Sequence, residues 1–200
     1  MNEKVILIGA SGHGKVIFDI VQAQGDTVIG FLDDSASGIC CGVPVLGPVV
    51  SANNYPDAKF IIAIGSNTVR KRIAENLNVS WHTAIHPSAV ISPSASISEG
   101  TVVMANAVVQ AEAQIGCHCI LNTGCIVEHE NKIGDYVHLS PKSATGGNVR
   151  IGEGSHIGIG ACVRNNVSIC GGCTVGAGAA VVKNVDEAGV YVGIPARRLK

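Results

Sequence analysis

From Ile85 onward an aliphatic residue returns every six positions: Ile91, Ile97, Val103, Val109, Ile115, Leu121, Val127, Ile133 and Leu139, and again from Ile151 through Ile157, Val163, Ile169 and Val175 to Val181. Seventeen slots lie on this ruler, and Ile, Val or Leu fills sixteen of them. A six-residue interval cannot keep to one side of a 3.6-residue helix. It suits a solenoid of three short strands per coil, whose inward aliphatic side chains stack from one coil to the next. Small residues dominate between the slots. Gly follows the slot at Gly116, Gly134, Gly152, Gly158 and Gly176, which reads as a tight turn with positive φ after each strand. Thr145 is the one slot without an aliphatic residue. It sits in the segment 140–148 with Pro141 and the pair Gly146-Gly147, which predicts a departure from the regular coil: a relaxed coil, or a widened turn that opens backbone groups to a ligand.

The segment 1–80 follows a different rhythm. A strand pattern, Val5 to Ile8, leads into the glycine loop Gly9-Ala-Ser-Gly-His-Gly14, followed by helical spacing at Val16, Ile17, Ile20 and Val21. A second strand, Thr27 to Leu32, ends in Asp33-Asp34. A third, Phe60 to Ile64, ends in Gly65-Ser-Asn67 before a basic helix start at Arg70. This is a small Rossmann-like βαβ unit. Such a loop brings backbone amides close to phosphate at a helix N-terminus, with an acidic residue about 20 positions on to accept ribose hydroxyls. Ser11 stands where the second glycine of a dinucleotide fingerprint belongs, so a purely structural βα turn is the competing reading, and NAD binding a weaker one.

The chain has 200 residues, 46% of them apolar, enough for one domain or two modest ones and too apolar for a disordered chain. Fourteen Lys and Arg against 15 Asp and Glu give no counterion-release drive toward nucleic acid. The apolar run after Met1 is too short for a signal-peptide core or a membrane span, which predicts a cytoplasmic protein. Eight cysteines are expected to be free thiols. The close pairs Cys117-x-Cys119 and Cys170-x-x-Cys173 lack the matching pair or histidines a zinc site needs, so no metal is expected.

The small α/β module followed by the six-residue repeat resembles, over nearly the whole chain, the hexapeptide-repeat acetyltransferases that include bacterial UDP-4-amino-sugar N-acetyltransferases and sialic acid O-acetyltransferase relatives. Val192-Gly-Ile-Pro-Ala196 resembles the closing segment common to such enzymes. The resemblance implies an α/β N-terminal module followed by a left-handed parallel β-helix of three hexapeptides per coil, assembled as a homotrimer. The left hand comes from the resemblance alone, because ordinary parallel crossovers are right-handed. It also implies that residues 1–80 bind the nucleotide-linked sugar and residues 81–200 carry acetyl transfer from acetyl-CoA. Ser11, Gly12, His13, Asp33, Asp34 and Gly65 match substrate-binding positions, the loop amides taking phosphate and the aspartates taking uracil or ribose donors. His129 and Glu130 match the catalytic pair, His138 a contact to acetyl-CoA, and Gly147 an amide donor near the thioester carbonyl. Ile159 and Ala177 match backbone contacts to the pantetheine or adenine end.

Forming an amide or ester from a thioester requires a base for the attacking group's proton and donors for the tetrahedral oxyanion. In Glu128-His129-Glu130, just after the Val127 slot, the turn should present His129 outward, and an imidazole is poised near neutral pH. Asn122, one position after the Leu121 slot, either lines the acceptor pocket or caps a turn. Cys125 as a nucleophile is a lesser reading, because it precedes an inward pair, Ile126-Val127. His82, His86, His118 and His156 read as turn or interface residues. Lys183, Arg197, Arg198 and Lys200 read as a solvated basic tail, with contact to CoA phosphates as the alternative. Direct N-acetylation of a UDP-4-amino-4,6-dideoxy sugar is the leading reading. O-acetylation of sialic acid or another sugar, and a non-catalytic nucleotide-sugar scaffold, are the alternatives.

Overall fold

The structure is a computed structural model that describes residues 2–199, so Lys200 lies outside the described residues. The first module runs β1 (Lys4–Ile8), α1 (Gly12–Gln24), β2 (Thr27–Leu32), β3 (Ile39–Cys40), β4 (Val43–Gly47), a 3-10 turn over Val49–Asn54, β5 (Lys59–Ile62) and α2 (Asn67–Asn76). The sheet order is β3-β4-β2-β1-β5, with β1 parallel to both β2 and β5. The apolar run of β1 is continuous because both its faces are covered. Val5 and Leu7 pack with Ile17, Ile20 and Val21 of α1, while Ile6 and Ile8 pack with Phe60 and Ile62 on the other face. Helix α1 ends at Gly25, whose φ of 97° lets its amide close on the carbonyls of Val21 and Gln22. The third predicted strand, β5, ends at Ile62 rather than Ile64. The β3–β4 hairpin escapes the pattern altogether, because it is short, carries Pro44 and has an exposed face.

Seventeen two-residue strands follow, from Ala84–Ile85 to Ala180–Val181, one on every slot of the six-residue ruler. Each pairs in parallel with the strand three slots on, as Ile126↔Ala144 and Val127↔Thr145 do, so the strands form three sheets. Face one carries Ala84–Ile85, Val102–Val103, Ile120–Leu121, His138–Leu139, His156–Ile157 and Thr174–Val175. Face two carries Val90–Ile91, Val108–Val109, Ile126–Val127, Ala144–Thr145, Cys162–Val163 and Ala180–Val181. Face three carries Ser96–Ile97, Gln114–Ile115, Lys132–Ile133, Arg150–Ile151 and Ser168–Ile169. The slot residue points inward, as does the small residue two positions before it, and together they form one continuous core.

Three expectations change. Segment 140–148 does not leave the coil. Ala144–Thr145 pairs on both sides, and Thr145 is buried with its hydroxyl donating to the Ile126 carbonyl at 3.3 Å. A hydroxyl can occupy an aliphatic slot there because a backbone acceptor is within reach. The glycines after the slots are also not positive-φ turn residues. Positive φ falls three positions after the slot, at Gly124 and Gly154 but equally at Asn106, His118, Glu130 and Asn148. The post-slot glycines answer to crowding by the next coil: a Cβ on Gly134 would stand 2.7 Å from the Glu153 amide nitrogen, and one on Gly152 2.3 Å from that of Gly171. Finally, Ile126 points outward and only Val127 inward, since successive strand residues face opposite sides.

The module rests on face one. Ala84, Val102 and Ile120, outward residues there, are buried against α1 in the same cluster as Ile17 and Val21. His82 at the junction lies between two carboxylates, with Nδ1 2.8 Å from Glu3 Oε2 and Nε2 3.4 Å from Asp26 Oδ2. Among the described residues no helix is long and apolar enough to cross a membrane.

Candidate active site

His129 and Glu130 occupy the turn between faces two and three, at the second and third positions after the Val127 slot, where Glu130 has the positive φ of that position, 59°. His129 Nδ1 is 2.9 Å from Glu130 Oε2. A carboxylate only accepts, so Nδ1 carries a proton, and in the neutral ring Nε2 presents its lone pair. Gly147 holds the equivalent position one coil above, and the Asn148 amide donates to the His129 carbonyl at 2.9 Å. The imidazole lies directly over Gly147: a Cβ there would stand 2.4 Å from both Cε1 and Nε2. Glycine at 147 is therefore what leaves room for the ring. The Gly147 carbonyl accepts from the Asn166 amide, while no partner among the described residues engages the Gly147 amide. The imidazole and the unpartnered Gly147 amide thus come together on one corner.

A second group gathers where face one emerges from under the module. The outward residues of that face run Ala84, Val102, Ile120, then His138, His156 and Thr174, changing from apolar to polar as the cover of α1 ends. Asn122 Nδ2 donates to His138 Nε2 at 3.1 Å. The His138 ring stacks on His156 with centroids 4.7 Å apart and faces His13, at the start of α1, at 6.5 Å. Ser140 Oγ is 2.7 Å from His156 Nε2. Burial, together with His156 and the Arg70 guanidinium, pushes His138 down to about 3. Burial and Arg70 push His13 down to about 4. Both rings are neutral at pH 7, donors and acceptors rather than charges. His156, read from the sequence as a turn or interface residue, belongs to this group, and Ser140 joins it unannounced by any motif. Both stand one full coil, three slots of the ruler, after His138 and Asn122, and that offset was the signal that names them.

The helix expected to start at Arg70 begins three residues earlier, at Asn67, and Arg70 falls in its first turn. Arg70 is 1% exposed and ties module to coil, donating to the carbonyls of His118 at 2.7 Å, Ile64 at 3.0 Å and Tyr136 at 2.9 Å, and to Asn67 Oδ1 at 2.9 Å. A weaker bond reaches Gly65 at 3.3 Å. Burial lowers its own pKa to about 10, so it remains a cation. Asn67 adds two bonds to the coil, at the carbonyls of Gly154 and Ser155.

Ser11, Gly12 and His13 begin α1, whose first amides have no intrahelical acceptor. Gly14 is fixed by packing, since a Cβ there would stand 2.1 Å from the Gly9 carbonyl oxygen, whereas Gly12 has open space. Asp33 is already engaged: Oδ2 accepts from Ala10 at 2.8 Å, and Oδ1 from Ser35 and Ala36. These amides hold its carboxyl below the usual range. Asp34, an exposed residue, accepts from the Val49 amide through Oδ1. Both aspartates border a cavity of about 450 Å³ at the C-terminal ends of β1 and β2, walled by Val49, Val50, Ile73 and Leu77 with Arg72 and Asn76 at the polar side. Ile159 and Ala177 lie one coil apart in the turn between faces one and two, stacked through the Gly178 amide on the Ile159 carbonyl at 2.8 Å.

Residues 4–77 match the family model described as the PglD N-terminal domain. The acetyltransferase domain of PglB from Neisseria gonorrhoeae is 40% identical, over 99% of this chain and 100% of that one, with a TM-score of 0.95. The perosamine N-acetyltransferase from Caulobacter crescentus, solved with CoA and GDP-perosamine, is 36% identical over 98% of this chain and 97% of that one, with a TM-score of 0.94. The chain belongs to the hexapeptide-repeat sugar N-acetyltransferase family. A curated relative, the UDP-N-acetylbacillosamine N-acetyltransferase of Bacillus subtilis, is 44% identical over 106 residues. That match takes in 48% of this chain and spans about half, 49%, of the relative.

Cys125 is fully buried in the coil core, and burial pushes its thiol up to about 12, which leaves no thiolate for a Cys-His pair. All eight cysteines are free thiols. Among the described residues, the side chains close enough to share a cation are Glu3, Asp26 and His82. There Glu3 is also ion-paired with Lys59, a cation that competes with any metal.

Proposed function

We propose that the chain transfers acetyl from acetyl-CoA to the 4-amino group of a UDP-linked 4-amino-4,6-dideoxy sugar, with His129 as general base. The observation that carries this is the imidazole oriented by Glu130 and seated over the open amide of Gly147. As the amine attacks the thioester carbonyl, Nε2 of His129 takes its proton and the Gly147 amide donates to the developing oxyanion. Collapse expels the CoA thiolate, which recovers the proton from the imidazolium. No covalent enzyme intermediate forms. The module, residues 1–80, holds the nucleotide: the amides at Ser11, Gly12 and His13 meet the diphosphate, and the nucleoside enters the cavity beside Asp34. Gly65, His13, His138 and Asn122 surround the sugar end. Acetyl-CoA runs past His138 toward Ile159 and Ala177. Relatives whose names carry UDP- and GDP-sugars support a nucleotide-linked amino sugar as acceptor. UDP is favoured by the curated relative.

The two groups stand on opposite edges of face two, His129 and Gly147 after its strands and Asn122, Ile159 and Ala177 before them. The outward residues of that face, Val90, Val108, Ile126, Ala144, Cys162 and Ala180, form an apolar ladder, with Val90 62% exposed. Three copies packed through this ladder would bring one chain's His129 edge to the next chain's His138 edge and complete the site between subunits. Sedimentation equilibrium on wild type and Val108→Lys tests the trimer: a monomeric wild type that still turns over would remove it.

The deciding assay is thiol release from acetyl-CoA with UDP-4-amino-4,6-dideoxy-N-acetylglucosamine, with GDP-perosamine and sialic acid as parallel acceptors. Release with the UDP sugar, lost in His129→Ala, supports the reading. Release with only the GDP sugar moves the nucleobase, release with only sialic acid moves the acceptor to a hydroxyl, and no release with any of them leaves a nucleotide-sugar scaffold.

A further inference from the structure

The inward position two residues before each slot holds a small side chain along the whole coil, and where that residue is polar it bonds to the backbone. Thr101 donates to the carbonyl of Gly116 and Ser155 to that of Cys170, in each case a carbonyl of the next coil. Ser143 turns back instead, to the Ser140 carbonyl of its own turn. Asn131, fully buried at the same position, does both. One Nδ2 proton bonds across to Gly146 at 2.9 Å, and the other is shared within its own turn between the carbonyls of Glu128 at 2.7 Å and His129 at 3.3 Å. One amide thus gathers the turn that carries the imidazole and the turn that carries Gly147. Thr145, a second polar residue of this stretch of core, accepts from the Glu128 amide at 3.4 Å. Polar groups enter this part of the core directly behind His129.

We propose that Asn131 is a positioning residue for the reaction, fixing the backbone of the Glu128-His129 turn so that the imidazole stays over Gly147. The role rests on the reading of His129 as base. A carboxamide is suited to it because one nitrogen carries two protons, while a hydroxyl has a single one for the Gly146 carbonyl. A buried turn held by fewer bonds samples more backbone positions, and a misplacement of about 1 Å at a catalytic group costs on the order of 10²-fold in rate.

The test is Asn131→Ser, which retains the bond that Thr101 and Ser155 make and fits a position where Ser already occurs, so the coil stays intact. Thiol release is measured for wild type, Asn131→Ser, His129→Ala and the double variant, with the melting temperature of each. The expected result is a kcat lower by roughly 10- to 100-fold, with the KM for acetyl-CoA and for the sugar within about twofold, and no further loss when Asn131→Ser is added to His129→Ala. A lowered melting temperature with unchanged kcat, or an equal loss in the His129→Ala background, overturns the positioning role. A wild type without turnover on any acceptor sinks the reading of the site instead. In that case the melting temperatures and an NMR titration of the His129 ring decide Asn131 separately: a ring signal and pKa identical in wild type and Asn131→Ser reject it.

Discussion

Gly147→Ala isolates the geometry of the reacting corner. The backbone there is outside the left-handed region, so alanine carries no φ penalty, and the amide proposed for the oxyanion is retained. The added Cβ falls 2.4 Å from Cε1 and Nε2 of His129, whereas ordinary carbon contacts begin at about 3.5 Å. The ring must therefore retreat by about 1 Å. His129 is 56% exposed and has solvent to move into, so the fold is expected to lose no more than about 0.5 kcal/mol, as for other surface substitutions. Displacing a base by about 1 Å costs on the order of 10²-fold in kcat, equivalent to about 2.7 kcal/mol of barrier. Steady-state thiol release and thermal melting on the same preparation would show kcat down about a hundredfold at nearly constant melting temperature. An alanine enzyme with wild-type kcat would refute the claim that the ring's seat over Gly147 is the productive one.

Removing the proposed base, His129→Ala, should lower kcat by roughly 10²- to 10⁴-fold, and Glu130→Gln by less, since the amide oxygen still accepts from Nδ1; equal losses in pre-steady-state acetyl transfer would contradict the division of roles. Arg70→Leu strands several buried carbonyls at the seam and is expected to destabilise by roughly 2–4 kcal/mol, seen as a shift in urea midpoint; a neutral result would mean water reaches those acceptors. Folded-state pKa values of about 4 for His13 and about 3 for His138 lie below the ordinary 6.5. Below pH 6.5 the unfolded chain binds more protons than the native one, so stability should be complete above that pH and fall as pH drops toward 4. Urea unfolding at stepped pH checks it, and a flat profile across that window would contradict buried neutral rings.

The ruler of inward residues was legible because each two-residue strand commits one side chain to the core, and a hydrophobic core leaves its mark at every coil. The cause of the glycines was not. Gly134 and Gly152 sit where a turn residue is expected from local chemistry, but their constraint comes from Glu153 and Gly171, a full coil away along the chain and adjacent only after winding. Thr145 misled for a related reason: a polar residue in an apolar slot looks like a break until the acceptor that satisfies it, the Ile126 carbonyl, is brought alongside. Local pattern records burial well and records hydrogen-bond closure across coils poorly.

The same limit explains what could be read of the site. His129 and Glu130 are adjacent in sequence, so their pairing was visible before folding, and the one-coil offset to Gly147 follows from the length of the repeat. The seam group is different: His13, Gly65 and Arg70 come from one module and Asn122, His138 and His156 from the other, and no spacing within either predicts their meeting. What places them together is the end of the apolar ladder on face one, where Ile120 is covered by α1 and His138 is the first outward residue past it. Outward positions on the three faces thus carry information that inward positions lack. Apolar and buried on face one means covered by the chain's own module; polar on face three means solvent. Apolar and exposed on face two marks the surface through which the proposed trimer would bring the acceptor edge of one chain to His129 of the next.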